Sequence, residues 1–165
     1  MIRGETIMNI SIRPAIINDK ARILSLIRSH DFKWDVNIAE TYYDDYFSEH
    51  NKRLKGDKVY VGLEGEKVIG VTGYFIDRYE TKSYWLGWFY IDKTHANRGY
   101  GKQLFRFIKN TLKKIGVTKL FVNTSSDYFY KTALNFYLDH GFRIEAVIRD
   151  YYWKGEDLFI LSKDL

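Results

Sequence analysis

The sequence predicts an α/β protein: a mixed, mostly antiparallel sheet of about seven strands with about four helices on its faces. Three observations predict it. Short apolar runs of strand length open and close the chain, and four longer segments carry helical periodicity. The middle of the chain sets consecutive strands side by side, as antiparallel pairing requires, whereas the second half alternates strand and helix.

Taken in order, residues 9–13 (NISIR) alternate as a first strand that ends at Pro14. Asn18 can cap a helix running to about Ser29, with Leu24 and Ile27 on one face. A second helix is expected from about 37 to 54, where Tyr43, Tyr46, Phe47, His50 and Leu54 form one stripe. Glu40, Asp44, Asp45 and Glu49 lie largely off that stripe, and HDFKWDV, with Trp34, reads as the loop between the two helices. VYVGLEGEKVIGVTGYFID then gives two strands joined at Glu64-Gly65-Glu66. SYWLGWFYI is apolar on both faces, as a central strand should be.

The helix from Gly101 to about Ile115 turns Leu104, Ile108, Leu112 and Ile115 inward and gathers Lys102, Arg106, Lys109 and Lys113 on another face. Gly116 stops it, and KLFVNT forms the next strand. A helix at about 128–140 places Phe129, Ala133, Phe136, Tyr137 and His140 at helical spacing and ends at Gly141. FRIEAVI and DLFIL are the last two strands, joined near Lys154-Gly155.

At 165 residues the chain is expected to form one domain, 1–165, with residues 1–8 a loose lead-in and Met8 an alternative start. No apolar run approaches the ~18 residues of a membrane span, the start lacks a signal-peptide apolar region, and there is no cysteine. A soluble, cytoplasmic chain is therefore expected, without disulfides, a thiolate nucleophile or a cysteine-held zinc. The net charge of +5 suits an anionic partner, either a nucleic acid or a phosphorylated small molecule. With 14 Tyr, 11 Phe and 4 Trp, the chain has enough aromatic surface for a core and for a ligand groove as well.

Arg98-Gly99-Tyr100-Gly101 stands between the apolar central strand and the basic helix. Amides at a helix start lack intrahelical acceptors, and glycines let the backbone come close to a ligand. The amides around 97–102, with Arg98 and Lys102 beside them, can therefore hold a pyrophosphate. GxxxxGK[ST] is absent and GxGxxG lacks its third glycine, which argues against nucleotide hydrolysis and nicotinamide chemistry.

This junction resembles the [RQ]-x-x-G-x-[GA] cofactor motif of the GNAT superfamily of acyl-CoA-dependent N-acyltransferases. ALNFYLDHGF, residues 133–142, is similar to that family's A-x-x-x-Y-x-x-x-G-F, and the order of elements agrees from about 9 to 164. The sequence departs from the pattern where Ala96 replaces the family's Arg or Gln and Tyr130 replaces an Asn. The longer segment NTSSDYFYK offers Asn123 or Ser126 for the latter contact.

The resemblance implies acetyl-CoA as acyl donor and no metal. It places the backbone of Phe89, Tyr90 and Ile91 along the pantetheine arm and thioester. Asn97, Arg98, Gly99, Tyr100, Gly101 and Lys102 would lie at the pyrophosphate. By the same resemblance Tyr137 is the general acid, although helical spacing alone favours a core aromatic. The family's usual carboxylates fall on Trp85 and Phe121, so Glu80, Asp77, Asp35, His95 and relayed water stay open as the route for the amine's proton. IRDYYWKGEDLFILSKDL is similar to the end of N-terminal protein acetyltransferases, which makes Tyr151 and Tyr152 acceptor contacts, and family analogy adds Trp34.

The acceptor is expected to be a primary amine on a peptide, a protein or a small molecule. The competing readings are a non-catalytic acyl-CoA sensor and a nucleic-acid binder resting on charge alone, with a tRNA-linked amine acceptor between them. Many members of the family pair as homodimers, and no residue here marks an interface.

Overall fold

The structure is a computed structural model that describes residues 9–30, 33–48, 54–77 and 83–165. Its strands are β1 (Ser11–Pro14), β2 (Lys58–Glu64), β3 (Lys67–Ile76), β4 (Tyr84–Ile91), β5 (Lys119–Ser125), β6 (Arg143–Trp153) and β7 (Glu156–Asp164). They form one seven-stranded sheet in the order β1-β2-β3-β4-β5-β7-β6. The β1–β2, β2–β3, β5–β7 and β6–β7 pairs are antiparallel and β4–β5 is parallel, so the sheet is mixed and mostly antiparallel as expected. The helices are α1 (Lys20–Arg28), α2 (Lys33–Tyr46), α3 (Tyr100–Lys114) and α4 (Lys131–Asp139).

By contacts the chain divides into two compact units, Met1–Phe75 with Gly87–Thr111, and Ile76–Leu86 with Leu112–Leu165. In the first unit, Val59, Val61 and Val71 join Ile23, Leu26, Ile27, Ala39 and Tyr43 in one buried cluster. Each Val, Leu or Ile among them taken out of water stabilises the fold by about 1.5–3 kcal/mol. The opposite face carries α3, and two glycines govern how near it comes. Gly62 and Gly70 are cross-strand partners on β2 and β3. A Cβ on Gly62 would stand 3.0 Å from Leu104 Cδ2, and one on Gly70 would stand 2.9 Å from Leu104 Cδ1. Leu104 thus seats directly on the paired glycines, and α3 lies close to the sheet.

In the second unit β5 and β7 supply Leu120, Val122, Leu158 and Leu161 to the interior, and Tyr137 of α4 is buried with Phe142. β6 is the edge strand, and every residue along it is exposed.

Several local expectations shift. A short 3-10 turn, Ile17–Asp19, precedes α1, and Asp19 rather than Asn18 organises this helix start by accepting Ile16 N at 2.9 Å and Arg13 Nη1 at 2.6 Å. α2 begins before residue 37 and ends at Tyr46, so Trp34 occupies its first turn and not a loop. Asp35 in that turn favours the early start by opposing the helix dipole. Ser48 N bonds Asp45 O, an i−3 step that closes the helix. Leu54 is buried in a turn, and Glu49 and His50 lie outside the described residues. Ile115 follows the end of α3 and is 55% exposed, not inward. Tyr128–Tyr130 form a 3-10 turn before α4, which leaves Phe129 60% exposed and outside the packed stripe.

Gly73 faces Val59 in the β2–β3 ladder, and a Cβ there would stand 2.2 Å from Lys58 O. Gly65, at φ 60° in the turn, has nothing within 4 Å of such a Cβ. Gly73→Ala is expected to cost about 3 kcal/mol or more and Gly65→Ala about 1 kcal/mol, since only the first must push backbone apart. Urea unfolding of the two variants beside wild type checks the order.

Candidate functional site

The site grows from the end of β4. The parallel pairing of β4 with β5 covers Tyr84–Leu120 and Trp85–Phe121. Beyond it, Trp88 takes φ 47°, a left-handed backbone costly for a bulky side chain. Its ring packs between Tyr42 and Tyr43 of α2, with centroids 5.3 and 5.6 Å away, and that packing offsets the strain. Tyr90 donates its hydroxyl to Asp35, and His30 Nε2 donates to Ile91 O at 2.6 Å.

Asp92 follows and acts as a hub. Its Oδ1 accepts Thr94 N at 2.9 Å and Thr94 Oγ1 at 2.7 Å, which caps the 3-10 turn Lys93–His95. Its Oδ2 accepts Arg22 of α1, whose Nε also donates to Val68 O at 2.9 Å. Burial pushes the Asp92 carboxyl up, yet the Thr94 and Arg22 hydrogen bonds and the Arg22 charge together hold it far below the usual carboxylate range.

The chain then turns sharply. Asn97 has φ 60° and Gly99 φ 79°, both left-handed, and Tyr100 opens α3. The first intrahelical bond runs from Gln103 N to Gly99 O at 3.2 Å, so the amides of Gly99–Lys102 lie ahead of the ladder. Nothing stands within 4 Å of where a Gly99 Cβ would be. The result is an open, amide-rich turn at a helix start, with Asn97, Arg98 and Lys102 exposed beside it.

Beside this turn lies a polar cluster, buried except at Glu64, whose side chain is 33% exposed. Tyr100, fully buried, donates its hydroxyl to Glu64 Oε1. His95, 7% exposed, brings Nε2 to 3.3 Å from Glu64 Oε2 and Nδ1 to 2.8 Å from Thr94 Oγ1. The hydrogen bond from Tyr100, then the charges of His95 and Arg98, hold the Glu64 carboxyl below its ordinary range; the bond to Glu64 pushes the Tyr100 hydroxyl up.

Tyr137 belongs to the second unit. It is buried on α4, with ring centroids 5.6 Å from Phe142 and 6.0 Å from Phe136. Tyr151 and Tyr152 are exposed on β6, edge to face at 5.0 Å. Across the hairpin turn from them, the start of β7 is tied to the end of β5: Asp157 N donates to Ser126 Oγ at 2.8 Å, and Ser125 donates its hydroxyl to Glu156 Oε1 at 2.5 Å.

The structure thus gathers Phe89, Tyr90, Ile91 and residues 97–102 around the β4–α3 junction, with Trp34 on α2 in the same unit. Of the residues considered for the amine's proton, Asp35 accepts Tyr90 and His95 is enclosed by Glu64 and Thr94. Asp77 donates its amide to Ser83 O at 2.9 Å, and Glu80 lies outside the described residues. Sequence reasoning missed Arg22, Glu64 and Asp92. Asp-x-Thr at 92–94 is a local capping signal that marks Asp92, whereas Arg22 and Glu64 are remote in sequence and carry no such mark.

The Acetyltransferase (GNAT) family model matches residues 23–142, most of the chain and all of the β4–α3 junction. The chain belongs to the GNAT acetyltransferase family. Solved structures agree on the fold. A protein assigned to the GNAT family from Desulfovibrio desulfuricans is 21% identical, with TM-score 0.85, over 94% of this chain and 99% of that one. The IAA acetyltransferase from Bacillus cereus is 24% identical, with TM-score 0.67, over 95% and 100%. The ribosomal-protein-S18-alanine N-acetyltransferase from Escherichia coli is 17% identical, with TM-score 0.74, over 94% of each chain. A search of curated proteins found no match. The GNAT family uses acetyl-CoA as cosubstrate. Among the described residues no helix is long and apolar enough to cross a membrane, and no group of three His, Cys, Asp or Glu is placed to hold a metal.

Asp92→Asn removes an ion pair whose carboxylate side chain is 12% exposed and is expected to cost about 2 kcal/mol at neutral pH. Because the folded carboxyl titrates below the unfolded one, its stabilisation is present above the ordinary carboxylate range and is lost as pH falls. The gap between wild type and variant should therefore narrow between pH 7 and about pH 2. Urea unfolding at several pH values measures it.

Proposed function

We propose that this GNAT protein is an acetyl-CoA-dependent N-acetyltransferase that moves the acetyl group directly to a primary amine. The observation that carries the reading is the open turn Asn97–Lys102. Two left-handed residues present helix-start amides beside Arg98 and Lys102, with free space at Gly99. That donor set suits a pyrophosphate: fixed N–H groups, a helix dipole and two cations. The fit therefore supports acetyl-CoA, which brings an activated thioester to the site.

The remaining work falls to the chain. The backbone of Phe89, Tyr90 and Ile91 lines the arm of the donor, and an N–H there opposes negative charge that develops on the thioester oxygen. The acceptor amine, with pKa ~10 when free, must first lose its proton. Its nitrogen then bonds to the acetyl carbon as the carbon–sulfur bond breaks, and it sheds a second proton to water, which balances the one given to sulfur. Tyr137 gives its phenolic proton to the departing thiolate and is later reprotonated from water. With Asp35 and His95 already engaged, relay through water is the simplest exit for the amine's own proton. Trp34, Tyr151 and Tyr152 are proposed to contact the acceptor, which is a peptide or protein amine or a small amine.

A second reading, an acyl-CoA sensor without transfer, draws on Ala96 in place of the motif's Arg or Gln and on the engaged carboxylates. Tyr137→Phe separates the two. Transfer to an amine, followed by thiol release, is expected to fall about 10²- to 10⁴-fold, with calorimetric acetyl-CoA affinity unchanged. Equal rates in wild type and variant would remove Tyr137 from the chemistry, and no release with any amine would favour the sensor.

A further inference from the structure

We propose that the outer face of α3 binds a single strand of nucleic acid through its phosphodiester backbone, along a row of cations formed by Arg106, Lys109 and Lys113. This surface lies past the amide turn, so it goes beyond the donor reading above and does not depend on it.

Charge singles out this helix. α3 carries Lys102, Arg106, Lys109, Lys113 and Lys114 and no Asp or Glu. Taking these five from the chain's 26 Lys and Arg leaves 21, equal to its 21 Asp and Glu. The whole net charge of +5 therefore resides on one helix. Elsewhere cations are paired: Arg13, Lys20, Arg22, Arg28, Lys119 and Arg143 each meet a carboxylate. Among the described residues, none of the five on α3 does.

Helix energetics account for only part of this. Lys113 and Lys114 sit in the last turn, where they favour the dipole. Lys102 sits in the first turn and opposes it, while Arg106 and Lys109 are more than a turn from either end. Lys102 with Arg106 and Lys109 with Lys113 stand at i,i+4, and Arg106 with Lys109 at i,i+3. Like charges at these spacings destabilise a helix, and a partner of matching negative charge removes that cost.

The arrangement selects the partner. At about 100° per residue, Lys102, Arg106, Lys109 and Lys113 fall within an arc of about 60° and climb in steps of about 6, 4.5 and 6 Å. Arg106 and Lys113 are exposed and Lys109 is half-buried. A straight, evenly spaced row fits a polymer with one negative charge on every repeating unit, whereas a compact anion meets only one or two of these cations. A helix that lies in a membrane surface turns an apolar face outward, but Leu104, Phe105, Ile108 and Leu112 are all buried. No aromatic side chain stands in the row. Phe107, off it, is half-buried, with its ring centroid 4.9 Å from that of Tyr60. The bases therefore go unread, and binding is independent of sequence.

Fluorescence anisotropy of the intact chain with a labelled RNA oligouridine of about 20 nucleotides tests this, across a range of salt concentrations. Three phosphates neutralised on a single strand give a slope of log K against log [salt] of about −2. Arg106→Gln/Lys109→Gln/Lys113→Gln keeps helix propensity and removes the repulsion. It should bind about tenfold or more weakly at about 50 mM salt and lose most of that slope, with calorimetric acetyl-CoA affinity unchanged. Equal RNA affinity in wild type and variant, or no RNA binding by wild type at this salt, overturns the proposal. Weaker acetyl-CoA binding by the variant also overturns it, because the row then belongs to the donor site. Polyglutamate of equal length, or phosphatidylserine vesicles, bound as tightly as the RNA and with the same loss in the variant, would reassign the row to an acidic protein or a membrane surface. Wild type that binds RNA through the row but binds no acetyl-CoA removes the donor reading and upholds the row. Should the triple variant fail to fold, Arg106→Gln alone should take about 0.7 from the slope, and an unchanged slope overturns the proposal.

Discussion

The close seat of Leu104 on the paired glycines Gly62 and Gly70 is the constraint from which the site follows. A helix held at ordinary distance from a sheet would carry its first turn away from the strand end. Here β2 and β3 present no Cβ at two facing positions, so α3 drops onto the sheet with Leu104, Ile108 and Leu112 fully buried. Ile91, the last residue of β4, reaches the same glycine, since its Cδ1 lies 2.8 Å from the Gly70 Cβ position. Strand end and helix start are thus pinned to one point, and the eight residues from Asp92 to Gly99 must turn tightly there.

Such a turn needs its polar groups satisfied, and the buried network does this. Asp92 takes three donors, one of them an arginine from α1, and Glu64 takes Tyr100 and His95. A carboxylate buried like Asp92 without these partners would cost several kcal/mol, so the network and the turn stand or fall together. The amides left outside it, at Gly99–Lys102, are those without intrahelical acceptors, and the Cβ position of Gly99 beside them is open. Anion affinity at this place is a product of how the helix is anchored.

The strain at Trp88 obeys the same economy. Its left-handed backbone is held by two tyrosine rings of α2, the helix that also lends Asp35 to Tyr90. In the second unit, Tyr137 is packed by Phe136 and Phe142, whereas Tyr151 and Tyr152 meet edge to face on the exposed edge strand. Aromatic side chains therefore serve two ends in this protein, some stiffening backbone and some presenting surface.

Periodicity and punctuation alone determined most of the architecture. The two-residue alternation of 58–64, the apolar run 84–91, the 3.6-residue stripe of α3 and the stops at Gly116 and Gly141 are local signals, and each corresponds to an element of the structure. The glycine junction was legible for the same reason, because a helix start and its motif are contiguous in sequence. What tertiary structure decided is what depends on residues far apart. The bounds of α2 were set by where its dipole and closing bonds fell, the exposure of Ile115 by α3 ending one residue before it, and that of Phe129 by α4 starting later than periodicity suggests. The His95 environment joins β2, β4 and α3, so no window of sequence contains it. A carboxylate's partners are chosen by folding, and it is those partners that enclose the histidine at this position instead of leaving it on the surface.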